Sequence, residues 1–229
     1  MDRRAEPELM NTKDQVDSYS EADFSKGEIK FIQLIKNYLK KNNIHLTGND
    51  LIEDLGCGPG NISEKLSIEW PNTSVIGIDG SKEMINKARM RKNLQEKSLN
   101  NLNYLCEDIK NIKLTDISDK KYINLLVSNS LIHHITDINE FFECIISLSG
   151  KKTLNFHKDL IRPINEKNAL ELKAVCASKY NETLTSDYYA SLQASYRADE
   201  LRELILEKKF FHLDVLEEDN EYLILYGSV

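Results

Sequence analysis

The segment Leu51-Ile-Glu-Asp-Leu-Gly-Cys-Gly-Pro-Gly-Asn-Ile-Ser63 constrains this chain more than any other. Five residues of strand character run into a loop in which Gly56, Gly58 and Gly60 alternate with Cys57 and Pro59, and a helix start follows at Asn61 or Ser63. Glycines at this spacing let the backbone turn sharply and approach a ligand where a Cβ would collide. The pattern is G-x-G-x-G, not the G-x-G-x-x-G of dinucleotide folds. A glycine-rich loop alone is also an ordinary strand-to-helix turn, so its context decides. That context is a second strand-like run, Ser74-Val-Ile-Gly-Ile-Asp79. It follows after about 20 residues and ends in an acid, the place from which a carboxylate accepts hydrogen bonds from a ribose.

The rest of the chain alternates helical and strand patterns, the arrangement of a parallel sheet covered by helices. Ile29 to Lys41 carries apolar residues at helical period, including Phe31, Ile32 and Ile35. Strands are predicted over Leu51–Leu55, Val75–Asp79, Asn103–Cys106, Tyr122–Ser128 and Thr153–Phe156. Ser81 is a good N-cap for the helix bearing Met84, Ile85 and Ala88. Lys92 to Asn101 reads as a solvated connection, and Asp137 to Leu148 as a helix ended by Gly150. Residues 164–196 form an insertion rich in tyrosine, followed by an amphipathic helix from Arg197 to Leu206 and two closing strands, Phe211–Leu216 and Tyr222–Tyr226. Glu53 stands out, because a central parallel strand is buried on both faces and a buried carboxylate is costly unless paired. Either it reaches a cation or the strand is wetter than usual there.

Asp54-Leu-Gly-Cys-Gly-Pro-Gly60 followed by Gly77-Ile-Asp-Gly-Ser81 resembles the cofactor signature of class I S-adenosylmethionine-dependent methyltransferases of the small-molecule type. Leu105-Cys-Glu-Asp-Ile109 resembles that family's acidic adenine-binding turn, and Leu126 to Ile135 its fourth-strand segment. The resemblance implies a doubly wound, Rossmann-like α/β domain over residues 29–229. Its seven-stranded sheet has an antiparallel last strand, preceded by an N-terminal helical arm or lid over residues 1–28. It implies S-adenosylmethionine as cofactor and S-adenosylhomocysteine as product. Asp54, Gly56, Cys57, Gly58 and Gly60 are then expected at the methionine end, and Asp79 and Gly80 at the ribose. Met84, Asp108 and Ile109 are expected at the adenine, and Asn129 at the end of the fourth strand, where open α/β sheets bind ligands.

The acceptor side is less defined. Tyr19 and Phe24 lie in the arm, within a short amphipathic segment that is either a frayed terminus or a lid, and two aromatic residues argue for the lid. Tyr188 offers rigid contact area with a polar tip, and Arg162 is able to clamp an acidic acceptor, although a surface salt bridge is the commoner fate of an arginine. His133, His134 and Tyr189 are the candidate bases. Adjacent histidines on a helix diverge by about 100°, and no third ligand is near in sequence, so no metal is expected. Methyl transfer from a sulfonium mainly requires alignment and exclusion of water, and a base only when the acceptor must lose a proton.

The formal net charge of −7 leaves no overall basic footprint for nucleic acid or anionic membrane, which favours a small-molecule acceptor. No run has the length to span a membrane, and the N-terminus lacks the apolar region of a signal peptide. Four widely spaced cysteines without C-x-x-C point to reduced thiols in the cytoplasm. Three alternatives stay open on sequence: an enzyme that modifies the cofactor itself, a nicotinamide-dependent dehydrogenase, and a non-catalytic binding or regulatory protein.

Overall fold

The computed structural model describes residues 1–6, 10, 12–95, 98–113 and 123–229. Strand β1 (Leu51–Leu55) is central in a seven-stranded sheet, with β2 (Ser74–Asp79) and then β3 (Leu102–Cys106) on one side. On the other side lie β4 (Ile123–Asn129), β5 (Ser149–Leu160), β7 (Tyr222–Gly227) and β6 (Leu213–Glu217). The strands β1 to β5 pair in parallel, and β7 runs antiparallel to both β5 and β6. The order reverses between β2–β1 and β1–β4, so a crevice opens at the carboxyl end of β1, where ligands bind in open α/β sheets.

Each face of the sheet is covered by helices. On one face α2 (Ser25–Lys41) and α3 (Asn61–Glu69) pack Phe31, Ile35 and Leu66 against Ile52, Val75, Val127 and Phe156. On the other, α5 (Ile138–Leu148) and α8 (Ala198–Glu207) pack Phe141, Phe142, Ile145 and Leu201 against Leu51, Leu55, Leu126 and Leu225. Each fully buried side chain of this size contributes roughly 1.5–3 kcal/mol. Helix α4 (Lys82–Leu94) starts at the Ser81 cap, whose hydroxyl accepts from the Met84 amide.

Helix α2 begins at Ser25, four residues before the predicted start at Ile29, which is exposed. Helix α1 (Lys13–Glu21) forms the arm proper. The insertion folds as α6 (Glu166–Ala177) and α7 (Glu182–Ala194), capped by Asn165 and Asn181. Arm and insertion are joined: Gln15 Nε2 donates to Asp187 at 3.3 Å, Asn181 Nδ2 to Ser18 Oγ at 3.0 Å, and the Tyr180 hydroxyl to the Asp23 carbonyl at 3.1 Å.

Strand β5 departs most from the sequence expectation. It starts at Ser149, so Gly150 is a strand residue and not a helix terminus, and it continues through the polar run His157-Lys158-Asp159 to Leu160. The cause is non-local. Residues 155–160 find a ladder on β7, and His157 and Asp159 are matched inside by Ser128 and His133. Strand β6 starts at Leu213, leaving Phe211 exposed. The predicted start of the fourth strand, Tyr122, and two residues of the connection from Lys92 to Asn101 lie outside the described residues. Among the described residues no helix is long and apolar enough to cross a membrane.

Candidate active site

The glycine loop is shaped by its conformation and by one carboxylate. Gly56 has φ +63° and would place a Cβ 2.6 Å from Leu131 Cδ1. Gly60, the N-cap of α3, has φ +87°, and a Cβ there would overlap the Tyr104 hydroxyl. Only glycine meets both demands without strain. Asp79, at the end of β2, accepts from the Gly58 amide and the Ser81 amide, each at 2.8 Å. The loop and the start of α4 are thus fastened to one side chain. Burial pushes the Asp79 carboxyl up, against the opposing pull of those two amides. Asp54 lies beneath the loop, and burial raises its pKa to about 7 despite a 2.6 Å hydrogen bond from Ser63.

Asp54, Gly56, Cys57, Gly58, Asp79, Gly80, Met84, Asp108, Ile109 and Asn129 all line one cavity of about 630 Å³. Gly60 does not; it sets the entry into α3. Sequence reasoning missed Glu28. Its carboxylate accepts from Asn61 Nδ2 at 2.7 Å and pairs with Lys65 at 2.7 Å, so α2 closes the loop end of the same cavity. Glu28 sits in the first turn of a helix that reads as a packing element, so nothing in its local pattern singles it out.

The cavity continues away from the loop between the arm and the insertion. Tyr19 and Phe24 line it with ring centroids 4.9 Å apart, Phe24 meets Tyr180 at 5.6 Å, and Tyr188 and Tyr222 complete an aromatic wall. Lys158 enters here from β5, its ammonium 3.4 Å from the Tyr222 ring centroid. Burial lowers its pKa to about 8.

His133 and His134 line the cavity on a single 3-10 turn (Ile132–His134) after β4. His133 Nδ1 meets the Asp159 carboxylate, which also accepts from the Ile132 and Leu160 amides at 2.6 and 2.7 Å. Burial works against the charged imidazole, but the Asp159 carboxylate outweighs it and the His133 pKa is raised; burial likewise works against the carboxylate, and His133 brings Asp159 below its ordinary value. Glu6 of the arm approaches both rings, at 3.6 Å from His133 Nε2 and 3.0 Å from His134 Nδ1. These three side chains bring ligand-type atoms within 4.8 Å of one another. The third member, absent from the neighbouring sequence, comes from the far N-terminal arm.

Two predicted residues fall elsewhere. Arg162 does not face the cavity: it is buried at the junction of α7 and α8. There it donates to the Met1 and Ser195 carbonyls at 3.0 and 3.1 Å and pairs with Glu200. The parallel bridge between Ile161 and Tyr196 turns the chain toward that junction. The Tyr189 hydroxyl donates to Glu166, and its ring carries the Lys173 ammonium at 4.8 Å, outside the cavity.

The profile of a family described as "Methyltransferase domain" matches residues 46–189. A trans-aconitate 2-methyltransferase of Rhodopseudomonas palustris is 55% identical over 40 residues, 18% of this chain and 16% of that protein. A malonyl-[acyl-carrier protein] O-methyltransferase of Bacillus cytotoxicus is 30% identical over 122 residues, 53% of this chain and 37% of that protein. The chain thus spans well under half the length of these curated relatives. Among solved structures, the plantazolicin methyltransferase BpumL in complex with SAH superposes with a TM-score of 0.71 at 17% identity, covering 94% of this chain and 90% of that one. That likeness concerns the fold.

Proposed function

The chain belongs to the methyltransferase-domain family, and on that premise we propose that it transfers a methyl group from S-adenosylmethionine to a small-molecule acceptor. The observation that carries this reading is the Asp79 carboxylate, which opens on the cavity at the end of β2 while it holds the glycine loop in place.

The residues present fit the donor. Gly58 lines the cavity, and a Cβ there would meet nothing within 4 Å, so its lack of a side chain leaves the cradle open; the first amides of α3 suit an anionic group such as the methionine carboxylate. Asp79 already accepts two amides, but a carboxylate has about four acceptor sites, so two ribose hydroxyls can still donate to it. Asp108 and Ile109 are proposed for the adenine, with Met84 and Gly80 beside them. Asp54, Cys57, Gly58 and Asn129 complete the donor side. The bound sulfonium supplies an activated methyl group for in-line displacement.

This chain's own residues orient the acceptor and exclude water. Tyr19 and Phe24 belong to the arm, which we propose acts as a lid, tied by hydrogen bonds to the insertion that carries Tyr188. Of the candidate bases, Tyr189 lies outside the cavity and His133 is held by Asp159, which leaves His134 for any proton transfer. The acceptor differs among the relatives, from trans-aconitate to a malonyl group, so family membership alone does not choose one. A reducing, cytoplasmic location is part of the proposal, since Cys57, Cys106, Cys144 and Cys176 are all free.

The test is transfer of an isotope-labelled methyl group from S-adenosylmethionine across a panel of small carboxylates, amines, phenols and thiols. Label on one class, with matching S-adenosylhomocysteine and loss in Asp79→Ala, is expected. Turnover of S-adenosylmethionine with its methyl group retained in a modified cofactor contradicts the proposal.

A further inference from the structure

Lys158 is a cation in search of an anion. Its residue is only 5% exposed, yet it lines the cavity, in register with Asn129 at the end of β4. Among the described residues the face of Tyr222 is its one partner, and no carboxylate or carbonyl meets the ammonium. The acids around it are engaged elsewhere. Glu218 and Asp219 both pair with Lys30 at 3.1 Å, and Asp159, on the opposite face of the sheet, pairs with His133. A buried ammonium without a counter-ion is costly, and a ring face offsets only part of that cost. The remaining space beside it is walled by Phe24, Tyr180, Tyr188 and Tyr222.

We propose that Lys158 anchors a carboxylate of the methyl acceptor, and that the acceptor's body is flat and apolar. The inference rests on the methyltransferase reading and names the substrate class for that same site. Lysine presents a compact point charge, suited to one carboxylate, where arginine would offer a bidentate fork. A phosphate or a polyanion fits poorly, because the acids lining the cavity, among them Asp23, Asp187 and Glu221, outnumber its lysines, Lys26, Lys110, Lys158 and Lys179, and oppose further negative charge. The aromatic wall suits a planar body through stacking and edge contacts. Arg162, the arginine four residues on, is saturated by Glu200 and two carbonyls and cannot take this part.

The probe is benzoate, with benzamide as its neutral counterpart, titrated by ligand-observed NMR into the S-adenosylhomocysteine complex of the wild type and of Lys158→Met. Benzoate is expected to bind the wild-type complex at least tenfold more tightly than benzamide. Lys158→Met should remove that preference while leaving benzamide and S-adenosylhomocysteine binding unchanged. A wild-type complex without preference for benzoate, or a preference that survives in Lys158→Met, overturns the proposal. Failure of the wild type to bind S-adenosylhomocysteine sinks the methyltransferase reading itself and is seen before benzoate is added.

Discussion

Replacing Glu53 with leucine should stabilise the protein. Glu53 is fully buried on β1, beside Ile76 and Leu126 of the neighbouring strands, and among the described residues neither carboxyl oxygen has a hydrogen-bond partner. Burial, reinforced by Asp54, pushes its pKa well above the ordinary 4.5. Two costs follow. An unpaired buried polar group costs about 1–3 kcal/mol at any pH. In addition, the folded state keeps a proton that the unfolded chain gives up. The sign is that of a raised folded pKa: stability is greatest below pH 4.5 and falls as pH rises, until the folded carboxyl itself ionises. The fall is at most about 1.4 kcal/mol per pH unit, so between pH 4.5 and 7 it has a ceiling of about 3 kcal/mol. Glu53→Leu removes both costs, less some strain from the changed shape. Urea unfolding followed by Trp70, the single tryptophan, gives the comparison. A gain of about 1–4 kcal/mol at pH 7 is expected, shrinking toward pH 4. Glu53→Gln should flatten the pH dependence equally but gain less, because its amide stays unpaired. A leucine variant less stable than the wild type at pH 7, or a gain identical at pH 4 and pH 7, would falsify this reasoning.

Two other perturbations probe the site's supports. Gly60→Ala forces a side chain into a left-handed backbone and into Tyr104, and should cost at least about 1 kcal/mol while weakening donor binding; an unchanged urea midpoint contradicts it. Asp159→Asn breaks a buried pair and should cost about 3 kcal/mol near neutral pH. The Asp159 contribution is present above pH 3.8 and lost as pH falls through its lowered pKa; the His133 contribution is complete below pH 6.5 and lost as pH rises through its raised one. The difference between wild type and Asp159→Asn should therefore peak between those limits, and a difference that does not vary with pH argues against the pair.

What the sequence shows of this protein is what local pattern can encode. The glycine loop, β1, β2 and the Ser81 cap each depend on residues within one turn or one strand, and the residues proposed for the donor, Gly60 excepted, line one cavity. What stayed hidden depends on distant chain. The length of β5 is set by pairing with β7, more than sixty residues later, so the predicted strand stops at Phe156, short of Lys158, and Arg162 stands as the candidate clamp. Two strand residues of extension bring Lys158 to the cavity, and the bridge from Ile161 to Tyr196 takes Arg162 away from it. Likewise Glu6 meets His133 and His134 where the distant arm is held in place: Arg3 and Arg4 bind the carbonyls of Ala194, Ile135 and Gln193, and the Ser191 hydroxyl donates to Glu6 at 3.2 Å. Glu53 was visible as an anomaly, but its place on β1 between Ile76 and Leu126, with no hydrogen-bond partner among the described residues, needed the packing around it.

The most direct measurement is calorimetric titration of the protein with S-adenosylmethionine, S-adenosylhomocysteine and NAD, repeated with Asp79→Ala. Micromolar binding of the first two and none of NAD is expected, with Asp79→Ala weaker by about 1.5–3 kcal/mol, the scale of hydrogen bonds to a charged group. Binding of NAD in their place, or donor affinity unchanged in a folded Asp79→Ala protein, contradicts the assignment of this cavity to S-adenosylmethionine.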